Sequence, residues 1–222
     1  MIDKGFTKHN SKGFIEHQLT QADIEEMQKH KRLKSICISH LKAENLDFLL
    51  LLPNLEYVEF RGCTINDYSA LRKVSKLKNL CFNTVRKDNN NFNFLSEGFE
   101  NLEWLEFAYC PKFEVFPDLS ACKNLQMLEI RRCKNLNDFH NIKTIPNLEG
   151  ITFLVYTKHQ PSDLEFIAQM PHLKIISCWF NTQKQKKEFD DLCKKHGKSE
   201  EYILINDKNS PKFMKRKDYI PK

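Results

Sequence analysis

Asn54-Leu55-Glu56-Tyr57-Val58-Glu59-Phe60 is one copy of a phrase, Asn-Leu-x-x-ϕ-x-ϕ with ϕ apolar, that recurs along the chain. It returns as Asn101-Leu102-Glu103-Trp104-Leu105-Glu106-Phe107, as Asn124-Leu125-Gln126-Met127-Leu128-Glu129-Ile130 and as Asn147-Leu148-Glu149-Gly150-Ile151-Thr152-Phe153. With looser copies included, the leading leucines are Leu33, Leu55, Leu77, Leu102, Leu125, Leu148 and Leu173, spaced by 22, 22, 25, 23, 23 and 25 residues. Three positions after each leader stands Ile36, Val58, Leu80, Leu105, Leu128, Ile151 or Ile176, and two further on Ile38, Phe60, Phe82, Phe107, Ile130, Phe153 or Cys178. Apolar residues at every occurrence of all three positions mark an internal repeat, which is the first thing to test in any chain. Alternation at steps of two predicts a short strand in each repeat.

Ahead of the leaders runs a second register with a step of three: Leu46, Leu49, Leu52; Tyr68, Leu71, Val74; Phe116, Leu119, Cys122; Phe139, Ile142, Ile145; and Leu164, Ile167, Met170. That step suits a 3₁₀ or short helical turn. The turn before Leu102 is weak, because Asn93 and Ser96 stand ahead of Phe99, and the Asn-rich stretch 87–93 reads as a surface bulge.

L-x-x-L-x-L followed by Asn or Cys resembles the leucine-rich repeat family. Cys63, Cys110, Cys133 and Asn181 occupy the Asn/Cys position, while Leu41, Val85 and Tyr156 depart from it. The resemblance implies an α/β solenoid with a curved parallel sheet on its concave face and helical or 3₁₀ segments on its convex face. Residues 1–32 are expected to form an N-terminal cap. Within it 1–19 reads as loop or short hairpin and 21–30 as a short helix, with Thr20 at its N-cap and Asp23 in its first turn. Seven repeats fill 33–181. Residues 182–222 form a C-terminal helical cap, helix 183–196 with Phe189, Leu192 and Cys193 inward and Gly197 as its stop, followed by a strand-like run at 202–205 and a basic tail.

If the apolar strand positions point inward, the residues between them face outward and carry recognition. Glu59, Glu106 and Glu129 share one outward row; Tyr57, Trp104 and Met127 form the row beside it; Arg61, Arg131 and Trp179 lie two residues further on, with Tyr109 flanking. Aromatic, Met and Arg side chains of this kind are enriched at interface hot spots. These ten residues are the expected partner-binding set, on the reading that they are solvent-facing. The plainer alternative makes them varied decoration, with Arg61 and Arg131 neutralising the glutamates and Trp179 packed under the C-terminal cap.

The whole chain narrows the chemistry. Its 222 residues carry a formal charge of +6, and 12 Lys or Arg against 7 Asp or Glu fall between Thr182 and Lys222, so the basic character belongs to that end. No apolar run approaches the roughly 18–20 residues of a membrane span. Residues 1–14 lack a signal-peptide core, so a cytoplasmic protein is expected unless a leader has been removed. The eight cysteines are expected to be reduced. There is no Gly-rich phosphate loop, no Cys-x-x-Cys and no His-Glu-x-x-His, so no catalytic residue, metal or cofactor is expected. Cys193 and His196, at helical i, i+3 spacing, offer only a weak alternative. A non-enzymatic module that binds a protein partner is therefore expected, as a monomer. By analogy with small intracellular bacterial leucine-rich repeat proteins it could be an immunity protein neutralising a basic toxin. The competing reading is nucleic-acid or polyanion binding through Lys212, Lys215, Arg216 and Lys217, with Phe213 and Tyr219.

Overall fold

The computed structural model describes residues 5–9, 12–85, 92–154 and 159–198. Residues 87–91 of the bulge expected at 87–93, Tyr156, the strand-like run 202–205 and the basic segment 208–222 lie outside them, while 92–93 belong to a 3₁₀ turn in which Phe92 is buried rather than at the surface.

Strands β1 (Phe6–His9) and β2 (Lys12–Glu16) form a hairpin, followed by helix α1 (Gln21–Gln28). Then come β3 (Ser35–Ser39), β4 (Lys42–Ala43), β5 (Tyr57–Arg61), β6 (Thr64–Ile65), β7 (Asn79–Asn83), β8 (Trp104–Ala108), β9 (Met127–Arg131) and β10 (Gly150–Leu154). Helix α2 (Glu165–Gln169), β11 (Ile175–Trp179) and helix α3 (Gln183–Lys195) follow among the described residues. One nine-stranded sheet runs β1-β2-β3-β5-β7-β8-β9-β10-β11, antiparallel only at β1–β2. This is an α/β leucine-rich repeat solenoid. Every strand of the seven repeats starts two residues past its leader, and the ladder pairs equivalent positions, Val58 with Leu80 and Leu105 with Leu128 among them.

The sheet extends one strand further than the repeat phrase reaches. β2 pairs in parallel with β3, Gly13 beside Ile36 and Ile15 beside Ile38, and so takes the repeat register. Position 10, where a leader would stand, is Asn. Without that leucine the segment reads as loop or hairpin; the exposed edge of β3 supplies the pairing energy instead.

The inward positions build one core. Leu55, Leu102, Leu125 and Leu148 are fully buried, each worth roughly 1.5–3 kcal/mol of transfer free energy. Phe60, Phe82 and Phe107 stack along the solenoid, with centroids 5.5 and 5.6 Å apart and planes within 16° of parallel. Tyr68 meets Phe60 and Phe82 edge-on.

Two polar ladders close the turns. The phrase's Asn donates through Nδ2 to a carbonyl one repeat back: Asn54 to Lys31 at 2.8 Å, Asn101 to Ser75 at 2.7 Å, Asn147 to Lys123 at 2.7 Å. The cysteines do the same inside, Cys63 Sγ donating to the Ile38 carbonyl at 3.2 Å and Cys110 to that of Phe82 at 3.5 Å. Leu41 and Val85, at the same position, are simply buried. The residue that follows each of β2, β3, β5, β7, β8 and β9 adopts positive φ: His17, His40, Gly62, Thr84, Tyr109 and Arg132, all between 53° and 63°. That turn aims the N–H along the ladder, as in Gly62 N–H to the Asn83 carbonyl at 2.9 Å and Tyr109 N–H to that of Arg131 at 2.8 Å.

The convex side carries 3₁₀ turns at Asp47–Leu51, Ser69–Lys73, Phe92–Glu97, His140–Thr144 and Pro161–Leu164. Two differ from expectation. The turn before Leu102, weak in the three-residue register, forms with its apolar positions shifted by one, since Phe92 and Leu95 are the buried residues. The turn before Leu125 forms no helix, although Phe116, Leu119 and Cys122 are buried as expected. Pro117 disfavours helical backbone at Phe116, the residue before it, and brings no N–H of its own.

At the N-terminal end, α1 opens with a capping box between Thr20 and Asp23 and stops at Gln28, two residues before the expected 30. At the other end Thr182 caps α3 through Gln185 N–H, and Gly197 follows it at φ 72°. Phe189 and Cys193 are the fully buried residues of its inner face.

Candidate functional site

The outward rows do lie side by side on the concave sheet, as the spacing predicts. Register places Tyr57, Asn79, Trp104, Met127 and Gly150 on consecutive strands, and Glu59, Cys81, Glu106, Glu129 and Thr152 beside them. Glu106 and Glu129 are thus lateral neighbours, which like charges disfavour. Arg131 compensates: its guanidinium pairs with Glu106, and its Nε lies 3.6 Å from Glu129 Oε2. A second cluster forms two strands away. Arg61 grips Glu59 with both Nε and Nη2, at 2.8 and 2.9 Å, and the Tyr57 hydroxyl donates to the same carboxylate at 3.0 Å. Three carboxylates and two guanidinium groups therefore share one face.

The expectation that all ten residues face solvent fails for six of them. Tyr57, Glu59, Trp104, Glu106, Met127 and Glu129 expose 5% or less of their surface. Long side chains lean over short neighbours. Met127 fills the space above Gly150, where a Cβ would stand 2.3 Å from its sulfur. Trp104 and Tyr57 flank Asn79 and Cys81. Alternation dictates which side of the sheet a residue takes, not whether water reaches it.

The accessible residues form the rim. Arg61 keeps 52% of its side chain exposed, Tyr109 is 45% exposed and Trp179 43%. Arg132, which flanks the set, places its guanidinium 5.3 Å from the Tyr109 ring centroid. Trp179 does not pack under the C-terminal cap. Its Nε1 donates to Ser177 Oγ at 3.2 Å, and it is Phe180 that meets Phe189 of α3, at 5.5 Å.

The weaker chemical alternatives find little geometry. Cys193 is fully buried, while His196 Nε2 turns to Glu165 Oε1 at 3.0 Å, so the pair offers no exposed thiol. The other thiols are buried too; burial pushes Cys63 up to about 11 and Cys178 well above the ordinary range. Among the described residues no cluster of three or more His, Cys, Asp or Glu is arranged to hold a metal. A cleft of about 850 Å³ opens away from the concave sheet, between loops that include Arg72, Glu97, Asn101 and Lys123. Arg72 and Glu97 pair with each other there, and no nucleophile and base converge. No helix of the described residues is long and apolar enough to cross a membrane.

No family model matches the chain, and no curated protein matches it. Among solved structures, an internalin (inlF) of Listeria monocytogenes strain 4b F2365 is similar with a TM-score of 0.48 and 15% identity. The match covers 76% of this chain and 54% of the internalin's, so it spans about half the length of that protein.

Proposed function

We propose that the chain is a non-enzymatic binding module that holds a protein partner on its concave sheet. The observation that carries this reading is the rim of Arg61, Tyr109 and Trp179, exposed around the carboxylate rows. Tyr, Trp and Arg are the side chains that dominate binding energy when a partner desolvates them. Stacked strands give a rigid backbone, so the rim is pre-organised and little ordering entropy opposes association. With three carboxylates against two guanidinium groups, the inner rows favour a basic partner and speed its approach. An immunity protein that neutralises a basic toxin fits this chemistry by analogy.

The test uses exposed residues, so that loss of binding is not loss of fold. Wild-type chain and a Tyr109→Ala, Trp179→Ala variant, matched in melting temperature, are used for capture from the source lysate. A basic protein retained by wild type should bind the variant at least ~30-fold more weakly, from about 2 kcal/mol lost at the two anchors. Equal retention of every captured protein would reject the concave site.

A further inference from the structure

Among the eight buried thiols, two occupy successive rungs of the turn ladder. The Asn/Cys position of the seven repeats reads Leu41, Cys63, Val85, Cys110, Cys133, Tyr156 and Asn181, so only Cys110 and Cys133 follow one another there. Their strands hold that alignment. β8 and β9 pair in register up to Ala108 beside Arg131, and Tyr109 N–H donates to the Arg131 carbonyl at 2.8 Å, which carries the ladder to the residue before Cys110. Each sulfur then sits in the same kind of niche. Cys110 Sγ donates to the Phe82 and Ala108 carbonyls, both at 3.5 Å, and Cys133 Sγ to those of Phe107 and Arg131 at 3.8 and 3.6 Å. The two side chains also hydrogen-bond to each other. That bond holds Cys133 below the ordinary thiol value and pushes Cys110 well above it. Cys63 is the contrast: it fills the same niche between Leu41 and Val85, and burial pushes it up to about 11.

We propose that Cys110 and Cys133 are a reversible oxidation site, at which a hydroperoxide closes a disulfide between the fourth and fifth repeats. Spacing permits the bond. Neighbouring strands lie about 4.8 Å apart, inside the ~4.4–6.8 Å Cα separation of a disulfide. Roles follow from exposure: Cys133 is 4% exposed and Cys110 0%, so the oxidant meets Cys133 first, the side that the mutual hydrogen bond favours as thiolate. Hydrogen peroxide, little larger than water, reaches a position closed to bulkier alkylating reagents. The Cys133 thiolate attacks one peroxide oxygen. The O–O bond breaks, the departing hydroxide takes up a proton and leaves as water, and Cys133 carries a sulfenic acid. The Cys110 sulfur then attacks the Cys133 sulfur. The S–S bond forms, the S–O bond breaks, and the hydroxide leaves as water with the Cys110 proton. Two electrons have passed from the thiol pair to the peroxide. The same geometry makes the bond easy to undo. Parallel rungs keep their Cβ atoms near the strand spacing, wider than the ~3.5–4.5 Å of a relaxed disulfide. Closure therefore draws the two turns together and stores strain that favours reduction. The residues just ahead of the cysteines, Tyr109 and Arg132, form the cation–π pair at the rim. The turn displaced by the bond is the one that presents Tyr109, so oxidation weakens partner binding; this last step rests on the rim reading above.

The experiment uses the full chain. Native protein is treated with hydrogen peroxide, unfolded in the presence of iodoacetamide, and digested without reductant for mass spectrometry. Two of the eight thiols should be lost and recovered as one linked peptide pair joining Cys110 to Cys133, and dithiothreitol should restore both. Cys63 should be recovered alkylated. Cys110→Ser, whose hydroxyl still donates to the Phe82 carbonyl, should leave a sulfenic acid on Cys133 that dimedone traps. Cys133→Ser should leave Cys110 a thiol. The wild-type linkage map decides the question if either variant fails to fold. Recovery of both Cys110 and Cys133 as alkylated thiols would overturn the proposal. So would a spread of disulfides no different from that of protein oxidised in urea, or a Cys178–Cys193 link in place of Cys110–Cys133. The rim is read separately, with the basic protein that the reduced chain captures: its retention should fall after oxidation and return with dithiothreitol. If the link forms and retention is unchanged, the oxidation site stands and its control of the rim is rejected. If no link forms and the Tyr109→Ala, Trp179→Ala variant still loses its partner, the binding module stands and the oxidation site is rejected.

Discussion

Tyr109 and Arg132 show how much a single backbone angle decides. Both sit at positive φ, 53°, where an L-residue pays for a Cβ close to its carbonyl oxygen, and that turn is what throws Tyr109 out to the rim. The same angle recurs at Thr84 and Gly62, which gives a paired prediction of opposite sign. Gly62→Ala should lower unfolding free energy by about 1 kcal/mol, since its Cβ would also press to 3.3 Å from the His40 ring. Thr84→Gly should raise it by ~0.5–1 kcal/mol, because a β-branched residue is poorly suited to φ 54°, with some offset from the lost hydrogen bond to Asn83. Urea denaturation of the two variants beside wild type reads both signs. Only Gly62 hints at this turn in the sequence; His40, Thr84, Tyr109 and Arg132 do not, because the pull of the neighbouring strand, rather than intrinsic preference, holds them there.

At the scale of elements, Asp23 joins the N-terminal hairpin to α1. Its Oδ1 accepts from Phe6 N–H at 2.7 Å and its Oδ2 from Thr20 N–H at 2.8 Å and the Thr20 hydroxyl at 2.7 Å. Burial raises the carboxyl's pKa, but the hydrogen bonds from Thr20 and Phe6 outweigh it and leave it below the ordinary 3.8. A depressed folded-state pKa means that the stabilisation is complete above 3.8 and fades as pH falls through the lower folded value. The Phe6 amide should therefore lose hydrogen-exchange protection in acid before the middle strands do. Asp23→Asn should cost about 1 kcal/mol at neutral pH, as a damaged cap does, and show no such acid step. Thr20 as cap and Asp23 in the first turn were legible from residue types and spacing. The reach of Asp23 to Phe6, 17 residues away, was not, since nothing local in the sequence encodes which backbone N–H a folded hairpin presents.

Across the whole molecule, each repeat contacts chiefly its neighbours, so opening should start at the ends. The eight buried thiols are natural reporters of this. At pH 8 native protein should react only very slowly with a thiol reagent, as burial pushes Cys63 up to about 11. Under mild denaturant Cys178 and Cys193 should react before Cys81, Cys110, Cys122 and Cys133, measured by mass spectrometry of the labelled digest. Simultaneous labelling of all eight would instead mean one cooperative unit.

The sequence by itself determined the period, the strand positions, the inward residues and the membership of the two outward rows. Each of these follows from local alternation and from leucines that must be buried in every repeat. The tertiary structure alone decided that β2 joins the parallel sheet, that the Asn of the phrase is a carbonyl ladder, and that the outward rows are shielded while Arg61, Tyr109 and Trp179 remain open. Those are properties of neighbours: an open strand edge, a carbonyl one repeat back, a Met leaning over a Gly. They depend on distances between residues about 22 to 25 positions apart, which no local pattern carries.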